Sequence, residues 1–117
     1  MKVFVYGSLM RGGINHSVLE GPHTEFIATD ITQRGFTLYD LGAFPGMVKE
    51  GNGAVVGEIY EVCPFTLSRL DILEGHPQFY KRSSIKLQSG VEVQTYILPG
   101  HHVDGCPVIK SGSWKHR

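Results

Sequence analysis

The chain has no excess charge of either sign: eleven Lys and Arg are matched by eleven Asp and Glu over 117 residues. A balanced chain lacks the electrostatic footprint for a phosphate backbone, so no nucleic acid is expected as a partner. It also lacks a polybasic segment that would hold it on an anionic membrane. Cysteine is scarce, with Cys63 and Cys106 alone. Two are too few for a disulfide scaffold and read as reduced thiols of a cytoplasmic protein. Long apolar runs are missing too. Val3-Phe4-Val5-Tyr6 is far too short for a signal-peptide core or a spanning helix. No repeat or low-complexity tract occurs. The expectation is one domain over residues 1–117, monomeric and long enough to bury a core of its own.

What the chain does have is glycine, fifteen residues of it, spaced as in a β-rich domain with many turns. Val3 to Tyr6 predicts a short buried strand ended by Gly7-Ser8, and Asn15 to Leu19 a short helix. Phe26 to Gln33 and Phe36 to Tyr39 predict two strands around Arg34-Gly35. Gly42-Ala43-Phe44-Pro45-Gly46 and Gly51-Asn52-Gly53 predict a loop. Ala54 to Val62, rich in β-branched and aromatic residues, predicts a strand. Pro64 suits the first turn of a helix running to Glu74, with Gly75 as its left-handed stop. Tyr80 to Gln88 and Val91 to Leu98 predict a hairpin across Ser89-Gly90, followed by a loop from Pro99. The sum is an α+β fold: a small curled β-sheet or β-barrel with one or two short helices against it.

Two features point to chemistry. A strand ending in Tyr6-Gly7-Ser8-Leu9 exposes consecutive backbone N–H groups with little side chain in the way, a concavity suited to carboxylate or phosphate oxygens. A plain strand-ending turn, with Asn15-His16 capping a helix, is the other reading. In the helix, Leu67, Leu70 and Leu73 define an apolar stripe, and Glu74 falls on or beside it. Partial burial and an unfavourable helix dipole would both raise the Glu74 pKa toward that of a general base. The alternative for Glu74 is a structural bond to a neighbouring strand. Asp71 lies off the stripe and is expected to be solvated, while Glu58, inside a strand, is the rival carboxylate. His101-His102, with Cys106 and His76, lack the spacing of a zinc site, so no metal is expected. Gly51-Asn52-Gly53 with Gly57 leads into a strand instead of a helix, which excludes a dinucleotide loop. No cofactor is expected.

Val3-Phe4-Val5-Tyr6-Gly7-Ser8-Leu9-Met10-Arg11-Gly12-Gly13 with Asn15-His16, Val56-Gly57-Glu58-Ile59-Tyr60, Leu70-Asp71-Ile72-Leu73-Glu74-Gly75 with Phe79-Tyr80-Lys81-Arg82, and Ser111-Gly112-Ser113-Trp114 occur in that order. This set resembles the γ-glutamylcyclotransferase-like (AIG2-like) family, and its opening is similar to that of γ-glutamylamine cyclotransferases. The resemblance implies a small β-barrel-like α+β fold with a cavity where the Tyr6–Leu9 loop meets Glu74. It implies release of 5-oxoproline from a small γ-glutamyl compound by attack of the substrate's own α-amine, with Glu74 as general acid and base. Gly7, Ser8 and Leu9 would bind substrate through their amides, Tyr6 and Tyr80 would line the pocket and supply hydroxyl contacts, and the Gly42–Gly53 loop would shape the leaving-group side. A non-catalytic module binding a small ligand in the same cavity is the competing expectation.

Overall fold

The computed structural model describes all 117 residues. Seven strands and one helix follow in order: β1 (Lys2–Val5), β2 (Thr24–Ile31), β3 (Phe36–Asp40), β4 (Pro45–Gly53), β5 (Val56–Val62), α1 (Pro64–Glu74), β6 (Lys81–Lys86) and β7 (Glu92–Ile97). Short 3-10 turns occupy His16–Leu19, Gly100–Val103 and Trp114–His116. Five strands make one mixed sheet in the order β2-β5-β1-β7-β6, and β3 and β4 form a separate two-stranded ribbon.

The core explains why β1 lies at the centre. Successive side chains of a strand point to opposite faces, and β1 has an apolar residue for each. Val3 and Val5 join Leu67, Leu70, Tyr80 and Leu98 on one side. Phe4 joins Leu38, Met47, Val55 and Ile59 on the other. Helix α1 therefore covers one face of the sheet and the β3–β4 ribbon supplies much of the other. No helix is long and apolar enough to cross a membrane.

Three sequence expectations need correction. The sheet is curled but is not a closed β-barrel. Its edges, β2 and β6, meet only at a bridge between Thr32 and Leu87, beyond the ends of both strands, where the Gln88 N–H donates to Ile31 O at 2.9 Å. The pairing of β2 with β5 shifts register between Phe26 and Ala28. Such an irregularity adds local twist, so the edges converge at one end and not along their length.

Residues 45–53 are a strand and not a loop. Pro45 opens it, where a missing N–H is tolerated. Gly46 is dictated by packing, because a Cβ there would come within 2.3 Å of Leu98 Cδ1. In α1, Pro64 is in the first turn and Gly75 ends the helix at φ 67°, as expected. Leu67 and Leu70 are buried, but Leu73 is 45% exposed. Three-residue steps turn the helix by about 300°, so each successive leucine falls back by about 60° from the core face.

Candidate active site

The site is assembled where β1 runs out against the last turn of α1. A cavity of about 180 Å³ is lined by Tyr6, Gly7, Ser8, Leu9, Glu74 and Tyr80, together with Phe4, Val5, Asn15, Phe44, Pro45, Leu73, Phe79 and Tyr96. All six residues singled out from the sequence thus share one cavity, although 65 residues separate Leu9 from Glu74.

The loop after β1 is held open by specific contacts. None of the amide N–H groups of Gly7, Ser8 and Leu9 donates a hydrogen bond within the protein. Their neighbours, by contrast, are tied down. Asn15 donates from Nδ2 to Ser8 Oγ at 2.9 Å and from its backbone to Ser8 O at 3.0 Å. His16 Nδ1 donates to Leu9 O at 2.9 Å. Gly13 lets the loop fold back on itself, since a Cβ there would lie 2.1 Å from Ser8 O. Three adjacent N–H groups without a protein acceptor, on a braced loop at the cavity, are of the chemical kind that meets a carboxylate or a developing oxyanion.

Glu74 faces this array from α1. Its carboxylate is partly buried and no protein group hydrogen-bonds it, whereas its backbone carbonyl accepts from the Tyr80 N–H at 3.3 Å. Burial pushes its pKa up to about 7. The group is therefore divided between acid and base near neutral pH, as proton transfer in both directions requires.

The two tyrosines line the cavity, and their hydroxyl protons are engaged within the protein. Tyr6 OH donates to Tyr96 O at 2.6 Å and accepts from the Met47 N–H at 3.2 Å. Tyr80 OH donates to Pro45 O at 2.5 Å. Both hydroxyl protons are committed to backbone carbonyls, so these residues wall the cavity with their rings instead of offering a donor to a ligand. Burial is the main cause that raises both phenols, with the Glu74 charge adding to it, and keeps them protonated.

Glu58, the rival carboxylate, lies outside the cavity lining and is fully engaged. It accepts from the Arg11 N–H at 2.9 Å, from Tyr60 OH at 2.9 Å and from Arg11 Nε at 3.4 Å, and Lys115 Nζ stands 3.8 Å away. Burial alone would raise its pKa, but these donors outweigh it and hold the carboxyl below the ordinary value of 4.5. Glu58 thus anchors the loop that carries the free amides. A depressed folded-state pKa gives stability that is present above about pH 4.5 and lost as the pH falls through the folded value. Glu58→Gln should accordingly melt below the wild type at pH 7, with the gap closing under acid. Glu74 is untouched, so turnover and the midpoint of the pH–rate profile should both persist; a loss of turnover of roughly a hundredfold in the folded variant would mean that Glu58 is the base.

Asp71 is not the solvated residue its position suggested. Its Oδ1 accepts from Arg82 Nε at 3.0 Å and from Tyr96 OH at 2.7 Å, which fastens α1 to β6 and β7. His76 Nδ1 accepts from the Arg82 N–H at 2.9 Å, and His102 packs on Phe79 with ring centroids 4.9 Å apart. No three His, Cys, Asp or Glu side chains come together so as to hold a metal ion. The sequence suggested no role in the cavity for Asn15, Phe79 or Tyr96, and it placed Phe44 there only as part of the Gly42–Gly53 segment expected to shape the leaving-group side. The available signal was the Phe44-Pro45-Gly46 run, whose special residues bring an aromatic ring beside the Gly7 turn.

Residues 3–116 match the family described as "Gamma-glutamyl cyclotransferase, AIG2-like". A Vibrio cholerae protein, whose name assigns γ-glutamylcyclotransferase activity provisionally, is 40% identical over 115 residues, covering 98% of this chain and 96% of that relative. A γ-glutamylcyclotransferase family protein of Escherichia coli K12 is 36% identical over 119 residues, covering 100% of this chain and 98% of that one. The crystal structure of an AIG2-like protein from Mus musculus superposes with a TM-score of 0.80 at 29% identity, over 93% of this chain and 85% of the mouse chain.

Proposed function

The chain belongs to the γ-glutamyl cyclotransferase, AIG2-like family, and on that premise we propose that it releases 5-oxoproline from a γ-glutamyl compound, with Glu74 as the general acid and base. The observation that carries this reading is the pairing of Glu74, poised near pH 7 and unbonded, with the three free amides of Gly7, Ser8 and Leu9 in one cavity.

The reaction needs no protein nucleophile. The substrate's α-ammonium loses a proton to the Glu74 carboxylate, and the freed amine attacks the γ-carbonyl carbon. A C–N bond forms within a five-membered ring, and the C–N bond to the leaving amine breaks. In becoming a lactam N–H the ammonium gives up two protons, and the departing amine gains two as it leaves as an ammonium ion. Glu74 can relay them with no net change in its own charge. Because attack is intramolecular, holding a near-attack geometry supplies much of the acceleration, on the order of 7 kcal/mol in favourable cases. The Gly7–Leu9 amides anchor the carboxylate or stabilise the oxyanion.

Purified protein incubated with a panel of γ-glutamyl amines, γ-glutamyl dipeptides and glutathione should generate 5-oxoproline from at least one of them, detected by mass spectrometry. Silence across the panel would leave a binding module in place of an enzyme.

A further inference from the structure

Ring closure presents two groups that call for hydrogen-bond donors. The α-carboxylate is charged throughout. The γ-carbonyl oxygen gains charge only when the amine attacks and the π pair moves onto it, and the pair returns as the leaving amine departs. No cation lines the cavity, so both groups must be met by neutral donors. Among the neutral side chains of the lining, the tyrosines have no proton to give. Tyr6 OH donates to Tyr96 O, Tyr80 OH to Pro45 O and Tyr96 OH to Asp71 Oδ1. Ser8 and Asn15 differ. Asn15 Nδ2 spends one proton on Ser8 Oγ at 2.9 Å and keeps its second. Ser8 Oγ accepts that bond, while its own proton has no acceptor in the protein. A hydroxyl that already accepts a hydrogen bond is polarised to donate its own more strongly. The backbone N–H of Asn15 also donates to Ser8 O at 3.0 Å, which fixes the pair against each other.

We infer that Asn15 and Ser8 form the oxyanion hole of the ring closure, Asn15 through Nδ2 and Ser8 through Oγ, while the Gly7–Leu9 amides hold the α-carboxylate. This rests on the cyclotransferase reading. Three successive amides suit a carboxylate, whose two oxygens carry several lone pairs. The side-chain pair beside them offers two protons, one for each lone pair of a carbonyl oxygen. Donors already in place before the charge develops cost no reorganisation at the moment of attack. Asn15 is thereby a catalytic residue and not merely part of the loop's bracing.

Asn15→Asp separates the two roles. An aspartate keeps the tie by accepting the Ser8 hydroxyl proton, so the brace survives, but neither side chain then has a proton for the oxyanion. With a γ-glutamyl substrate that the wild type turns over, kcat should fall by roughly a hundredfold or more, the scale of a lost oxyanion donor. The added charge moves the Glu74 titration upward, so kcat is compared on the plateau of each pH–rate profile. Asn15→Ala should lower kcat similarly. Its KM and its affinity for 5-oxoproline should stay within about threefold of the wild type, because a contact made only in the transition state leaves ground-state binding alone. Ser8→Ala, which spares the Asn15 proton, should lose less, roughly tenfold. Wild-type kcat in Asn15→Asp overturns the inference and leaves the cyclotransferase reading standing. So does a loss carried by KM and 5-oxoproline affinity, which would place Asn15 on the carboxylate. Unfolding of both Asn15 variants would make the residue a brace and overturns it as well. A wild type that releases no 5-oxoproline from any substrate removes both readings.

Discussion

Replacing Glu74 with glutamine is expected to lower turnover by roughly a hundredfold or more, the usual scale for a positioned acid–base group. Binding should persist, because the Gly7–Leu9 amides are unchanged. In the wild type the rate should climb with pH through about 7, where burial has moved the carboxyl. Stability should run the other way. A folded-state pKa above the ordinary 4.5 means the folded chain holds its proton more tightly than the unfolded chain. Stability therefore declines as the pH rises from about 4.5 to about 7 and the buried group is forced to ionise. Glu74→Gln escapes that cost. It should melt several degrees above the wild type at pH 8 and alongside it near pH 4, as followed by circular dichroism. Normal turnover by this variant would move the base elsewhere in the cavity.

Gly7→Ala should cut affinity for 5-oxoproline, the carboxylate-bearing product, by roughly tenfold or more. An added Cβ would sit 2.8 Å from Pro45 Cγ and 2.9 Å from Cδ. The proline ring cannot swing aside, since Pro45 is paired with Asp40 at the start of β4 and its carbonyl accepts the Tyr80 hydroxyl. The loop must give instead, and the amides of Gly7, Ser8 and Leu9 move with it. Each hydrogen bond to a charged group is worth about 1.5–3 kcal/mol, so misaligning even one accounts for the loss. Calorimetry with 5-oxoproline measures it, and the midpoint of the pH–rate profile should stay where Glu74 sets it. Undiminished affinity would show that the carboxylate binds elsewhere.

Features governed by near neighbours in the chain were legible before the fold was known. Pro64, the leucines at 67 and 70 and Gly75 define α1 between them, and Ser89-Gly90 marks the turn of the β6–β7 hairpin. What depends on distant partners was not. The strand character of residues 45–53 comes from pairing with β3 and from the fit of Gly46 under Leu98, while its own glycines and proline speak for a loop. Its second half, Lys49–Gly53, is exposed, so no alternation of apolar and polar residues reveals it. Barrel closure depends on how far twist carries β2 and β6 around, a property of the whole sheet. The engagement of Asp71 required Arg82 and Tyr96, eleven and 25 residues away. The partners of the tyrosine hydroxyls were hidden for the same reason: Tyr96 O comes from β7, and Met47 N and Pro45 O come from β4.

The left-handed Gly75 at the end of α1 has a bearing on which parts of the chain can change length. One residue gained or lost between Pro64 and Gly75 would turn everything after it by about 100° and carry Glu74 out of the cavity while the leucines stayed seated. The helix thus acts as a ruler of fixed length. The hairpin tip around Ser89-Gly90 is under a looser constraint: it is exposed, it touches nothing in the cavity, its side-chain tie to β2 is the hydrogen bond from Ser89 Oγ to Asp30 Oδ2, and loop closure grows only slowly more costly with added residues. Insertions and deletions should accumulate at that tip and be excluded from α1.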